Sequence, residues 1–202
     1  MLTQNSKMKK TSQELGVKLV NFNIPAFQDP QTGKRTCPWA GECAAVCYAR
    51  KGRYRFGNVQ SSLAKKYYAT KRDDFVDVMI GHIEKSKADY VRIHDAGDYY
   101  SPDYVEKWMA VVHHFRDKKR LYSYTKSLPF FMERKLPENF DVIYSLGGKL
   151  DDLIDREKHR HSKMFDTYEQ MESENYVNAS FNDLMSTRWY SPDNNKIGLI
   201  KH

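Results

Sequence analysis

Apolar positions along the chain switch repeatedly between a two-residue and a helical rhythm, and the switches outline alternating strands and helices. Val17-Lys-Leu-Val-Asn-Phe-Asn-Ile24 reads as a first strand, stopped by Pro25 and followed by a polar loop. A helical region from Asn58 to about Thr70 comes next, and Asp73 and Asp74 open another helix whose Phe75, Met79, Ile80 and Ile83 recur at helical spacing. Tyr90-Val-Arg-Ile-His94 is a short strand whose alternation puts Val91 and Ile93 on one face and Arg92 and His94 on the other. Ser101 caps the following helix, with Pro102 at its first position and Val105, Trp108, Met109 and Val112 as its apolar stripe. Leu121 to Thr125 is a strand, Phe130 to Arg134 a short helical turn, and Phe140 to Leu146 a strand ending at Gly147 and Gly148. Leu150 to His159 is expected as the next helix.

Strands separated by helices imply parallel β-α units, hence an α/β fold built as an open sheet or a partial barrel. In such folds the ligand site lies at the carboxyl ends of the strands. Here those ends carry Cys37 to Cys47, His94-Asp-Ala-Gly-Asp98, Thr125-Lys-Ser127 and Ser145-Leu-Gly-Gly148. All four are polar or glycine-rich, and their convergence points to an enzyme. No repeat, Pro/Gly linker or low-complexity run divides the 202 residues. A single α/β domain is expected over 17–202, behind a polar and loosely held segment 1–16.

The chain has only three cysteines, Cys37, Cys43 and Cys47, all in one Cys-x5-Cys-x3-Cys stretch. With none elsewhere they cannot form a disulfide framework, and such a cluster reads first as zinc or iron–sulfur ligands with a fourth coordination position left for another group. The alternative is buried structural thiols. An apolar content of 40% is that of an ordinary globular domain, and no stretch has the length of a membrane span or of a signal peptide's apolar core. A cytoplasmic protein with no membrane partner is expected, in keeping with an odd number of thiols. The net charge of +7 favours a polyanionic partner such as a nucleic acid or a nucleotide. Arg50-Lys-Gly-Arg-Tyr-Arg55 reads first as an ordinary basic surface loop, with a contact to a nucleic-acid backbone or a phosphate as the alternative. His113-His114 and His159-Arg-His161 read as solvated faces, and Trp39, Trp108 and Trp189 as packing residues.

A cysteine loop after the first strand, followed by a Gly-acid motif at the end of the next, resembles the radical S-adenosylmethionine superfamily. Cys37-Pro-Trp-Ala-Gly-Glu-Cys-Ala-Ala-Val-Cys-Tyr-Ala49, Gly52-Arg-Tyr54, Ile93-His-Asp-Ala-Gly-Asp-Tyr-Tyr-Ser101, Tyr124-Thr-Lys-Ser127 and Ile197-Gly-Leu-Ile-Lys-His202 are also similar to a bacteriophage gene-product family without an assigned function. The resemblance implies a partial, open TIM-like β/α barrel in which Cys37, Cys43 and Cys47 hold a [4Fe–4S] cluster and the fourth iron binds S-adenosylmethionine. An external electron donor would then drive formation of a 5′-deoxyadenosyl radical that attacks a substrate of unassigned class, be it nucleotide, nucleic acid or peptide. The spacing departs from the superfamily's usual Cys-x3-Cys-x2-Cys. On this reading Gly97 and Asp98 receive the cofactor's ammonium group, Arg92 and Ser145 complete the cofactor site, and His94, Tyr124 and Lys126 are the catalytic candidates, with Lys126 suited to a carboxylate or phosphate. Two other readings use the same cysteines. One is a zinc-binding structural or nucleic-acid-binding module; the other is a cluster serving electron transfer or sensing.

Overall fold

A computed structural model describes residues 1–201. Its strands are β1 (Leu19–Phe22), β2 (Tyr90–Ile93), β3 (Arg120–Thr125), β4 (Phe140–Ser145), β5 (His161–Phe165), β6 (Val177–Asn178) and β7 (Lys196–Ile200). Its helices are α1 (Ser6–Leu15), α2 (Cys43–Val46), α3 (Gly57–Ala69), α4 (Phe75–Ser86), α5 (Pro102–His114) and α6 (Tyr168–Ser173). Every neighbouring strand pair runs parallel, in the order β1-β2-β3-β4-β5-β7-β6, and the sheet curls into a half-barrel. The fold is the α/β partial barrel expected from the sequence.

Alternation along the strands builds a separate core on each face. On the convex face Val20, Phe22, Val91, Ile93, Leu121 and Val142 meet Phe75, Met79 and Ile83 of α4 and Val105, Trp108 and Val112 of α5. Phe22 packs edge-on to both Phe75 and Trp108, with ring centroids 5.8 and 5.4 Å apart. On the concave face Leu19, Tyr90, Tyr122, Ile143 and Ile197 are covered by Met8 of α1 and by Ala179 and Leu184 of the C-terminal segment. The barrel interior is therefore filled by protein below the strand ends.

Local chemistry explains the element boundaries. The Ser101 hydroxyl accepts the Tyr104 N–H at 3.3 Å and Pro102 occupies the first helical position, so α5 starts where its cap predicts. Residues 1–16, expected as a polar segment, contain α1: Asn5 accepts the Met8 N–H at 2.8 Å, and Gly16 ends the helix in a left-handed conformation at φ +64°. Met8 and Thr11 give this mostly polar helix its buried side.

Two expectations are corrected. Leu150 to His159 is not a helix; only Asp151–Leu153 form a 3-10 turn. Asp151 turns back to accept the Gly147 and Gly148 N–H groups at 2.7 and 2.9 Å, and Asp155 accepts those of Glu157 and Lys158, so these carboxylates compete with the helical ladder. His161 is not on a solvated face. It is buried in β5, with Nε2 2.8 Å from the Tyr176 hydroxyl.

Candidate functional site at the strand ends

The segment between β1 and α3 carries the cysteines and is fastened across the top of the sheet by backbone bonds. Asp98 N–H, after β2, donates to the Thr36 carbonyl at 3.1 Å; Cys43 N–H donates to the Gly147 carbonyl at 3.2 Å and Lys149 N–H to the Trp39 carbonyl at 3.0 Å, both after β4. Gly41 lies so close to Gly148 that a Cβ would come within 2.9 Å of its carbonyl carbon and oxygen. Phe27 N–H donates to the Cys37 sulfur at 3.2 Å. The cysteine loop thus spans the carboxyl ends of β2 and β4.

Beneath it lies a cavity of about 180 Å³. Cys37, Cys43, Cys47, Arg92, His94, Gly97, Asp98, Tyr124, Lys126 and Ser145 all line it, so every site residue singled out in the sequence comes to one place. Each cysteine is free and, as a residue, half-buried. Burial pushes the Cys37 thiol up to about 12, and the nearby Asp98 carboxylate and the other two cysteines add to the rise against the Phe27 N–H. Burial also raises Cys47. A metal centre would reverse these shifts, because coordination deprotonates thiols. Among the described residues no three His, Cys, Asp or Glu side chains converge tightly enough to share one ion. The cysteines surround a common space without meeting at a point. Holding a zinc ion, with every donor within about 2.0–2.3 Å, would require the thiols to move together.

The strand-end side chains divide into fixed and open groups. Asp98 is buried, and its carboxylate accepts from Thr125 Oγ1 at 2.6 Å, Lys126 N–H at 2.9 Å and Tyr99 N–H at 2.8 Å. Burial raises its pKa against these donors. Asp98 therefore shapes the loop after β3. Arg92, on the concave face, is held by Asp183 at 2.9 Å and Asp95 at 3.3 Å. His94 departs from the Arg92 face: β2 ends at Ile93, and His94, at φ +66°, places its ring 4.7 Å from Tyr99 with Nε2 2.8 Å from the Tyr104 hydroxyl. Burial, then the Arg92 charge, lowers its pKa to about 3, so it is neutral at physiological pH. Lys126 Nζ donates to Ser145 Oγ at 2.7 Å and has no carboxylate partner among the described residues. The Tyr124 hydroxyl is fully buried, with no hydrogen-bond partner among the described residues. Lys126 and Ser145, both half-buried, are left available to a ligand.

Several supporting residues carry little signal in the sequence. Asp95 accepts hydrogen bonds from Tyr48, Tyr54 at 3.1 Å and Asn5 at 2.9 Å, tying the cysteine segment and α1 to the end of β2. Its position in His94-Asp-Ala-Gly-Asp98 was the only signal. Asp183 had none, because no element was predicted around it. Met164 and Leu199 reach the cavity from β5 and β7, whose strands were not predicted.

Fold and site together define a parallel α/β half-barrel with a three-cysteine cavity at its strand ends. The chain belongs to the Gene product 88 family, whose model matches residues 1–202. It is similar to the Gene 88 protein of Mycobacterium phage D29, at 30% identity over 56% of this chain and 58% of that protein. The match thus spans little more than half of that relative. No solved structure matches the chain. No helix among the described residues is long and apolar enough to cross a membrane.

Proposed function

We propose that the protein is a radical S-adenosylmethionine-type enzyme whose Cys37, Cys43 and Cys47 hold a [4Fe–4S] cluster at the mouth of the half-barrel. The observation that carries this reading is the convergence of three thiols and the Gly97-Asp98 strand end on one cavity at the carboxyl edge of a parallel sheet. With S-adenosylmethionine bound and an external electron donor, such a cluster supplies a 5′-deoxyadenosyl radical. The chain's own groups bind and orient. Lys126 and Ser145 offer a cation and a hydroxyl to a carboxylate. Asp98, through its three donors, holds Lys126 in place, while Met164 and Leu199 narrow the access of water.

The test is anaerobic reconstitution with iron and sulfide, followed by iron analysis, visible absorption and a search for 5′-deoxyadenosine after reduction with S-adenosylmethionine. The expected product is a brown protein that releases 5′-deoxyadenosine, and Cys37→Ala, Cys43→Ala and Cys47→Ala each lose both iron and product. A colourless protein that retains one tightly bound zinc would overturn the proposal.

A further inference from the structure

The cavity mouth is strongly and unevenly charged. Residues 34–55 contain Lys34, Arg35, Arg50, Lys51, Arg53 and Arg55 against the single carboxylate Glu42, a net +5 of the chain's +7. All six cations are exposed, and among the described residues none of them forms an ion pair. Arg35 and Arg50 are also anchored on residues that line the cavity. The Arg35 and Arg50 guanidinium carbons lie 3.8 and 4.7 Å from the centre of one ring, that of Phe27, which itself lines the cavity. Arg50 Nη1 donates to the carbonyl of Ala44, another lining residue, at 2.7 Å. Lys51, Arg53 and Arg55 follow on and beside the 3-10 turn Gly52–Arg55.

Aromatic surface is interleaved with these charges. Phe56 is 59% exposed, and Tyr48 is 46% exposed although its hydroxyl is fixed on Asp95, so a ring is presented while its polar end is engaged. Unpaired cations leave their charge available to phosphates, and exposed ring faces suit unstacked bases, the combination that grips a single strand. A rigid duplex would leave the rings unused.

We propose that residues 34–56 form a binding surface for single-stranded nucleic acid, which runs along the cationic rim and presents one nucleotide to the cavity. As a statement of substrate class this rests on the reading of the cavity given above; the binding itself does not.

The test is fluorescence anisotropy of a labelled mixed-sequence 20-nucleotide strand with the intact chain at several salt concentrations, with iron measured on the same preparations. The wild type binds with an affinity that falls steeply with salt. R50Q/R53Q/R55Q weakens binding at least tenfold at 0.1 M salt and flattens the logarithmic salt slope by about 2, the amount for three lost contacts on a single strand. Phe56→Ala weakens binding about tenfold with the slope unchanged, the signature of lost stacking. K18Q/R116Q/K118Q removes the same charge from exposed residues in the segments leading into β1 and β3, at the opposite end of the sheet, and leaves binding within twofold. Absence of salt-dependent binding by the wild type, equal loss in the two triple variants, or a duplex bound as tightly as the single strand would overturn the inference. Iron retained without strand binding refutes this surface alone; strand binding by a protein that takes up no iron refutes the cluster alone.

Discussion

At the scale of single residues, Asp183 joins α1, β2 and β3. Its buried carboxylate pairs with Lys7 of α1 and Arg92 of β2, each at 2.9 Å, and accepts the Tyr122 hydroxyl. Burial alone would raise its pKa; the two cations and the hydroxyl outweigh burial and hold it well below the usual carboxylate range. A depressed folded-state pKa contributes stability that is present above the unfolded value of about 3.9 and is lost as pH falls toward the folded value. Asp183→Asn takes the counter-charge from half-buried Lys7 and one of the two carboxylates from buried Arg92, which keeps Asp95, and is expected to cost about 3 kcal/mol at pH 7. The gap between wild type and variant should shrink steadily from pH 4 to pH 2.5, read as urea midpoints across that range. A gap independent of pH would mean that packing, and not the ion pairs, makes Asp183 necessary. Asp98 is buried too but has no cation in direct contact, and its pKa moves upward. Two buried aspartates in one half-barrel therefore respond oppositely to their surroundings.

At the scale of elements, the strand-end loops depend on backbone positions that no side chain can share. Gly97 has φ +85°, and a Cβ there would lie 2.2 Å from Ile24 Cγ1, so Gly97→Ala both strains the backbone and pushes β1's exit away from β2's. Its expected effect is a loss of at least about 2 kcal/mol in a denaturant titration. Gly41 has no left-handed strain, but its Cβ would strike the Gly148 backbone. Gly41→Ala should therefore act locally, lowering iron uptake on reconstitution while shifting the melting temperature less than Gly97→Ala does. Equal melting shifts would show that the cysteine loop folds as one unit with the sheet. Elements with strong local signals were legible in the sequence. Ser101-Pro102 fixed the start of α5, and Tyr90 to Ile93 appeared as a strand between two helices. Helices α3 and α4 lie within a residue or two of their expected starts. Legibility ended after Gly148, where Asp151 and Asp155 redirect the backbone and the short strands β5 to β7 lack a clean alternation. The ten site residues could be chosen because strand ends converge in parallel α/β folds whatever the intervening loops do, and because the family resemblance pointed to residues at those ends. Their individual roles could not, since the partners of Arg92 and His94 come from Asp183 and Tyr104, and Asp183 is remote in sequence.

At the scale of the whole molecule, a half-barrel leaves its concave face uncovered unless something is folded into it, and here α1 and the segment around Asp183 do so. Helix α1 has ten residues, too few to persist alone in water, so packing of Met8 and Thr11 and the Lys7–Asp183 pair must hold it. The dependence is mutual. Met8 covers Leu19, Tyr90 and Tyr122, and Asn5 reaches Asp95 directly behind the cavity. Deleting residues 1–16 should therefore expose the concave apolar surface, giving strong binding of a hydrophobic dye and a broad, lowered melting transition. Met8→Ala, which removes apolar contact without removing the helix, should cost about 2–5 kcal/mol and keep a single cooperative transition. If the truncated chain instead melted sharply near the intact protein's temperature without binding dye, α1 would be an appendage, and the cavity would owe its shape to the sheet and the cysteine loop alone. Arg92 spans the two regions, pairing with Asp183 within the plug and Asp95 at the cavity, so loosening the plug weakens one of the two carboxylate contacts that hold its guanidinium there.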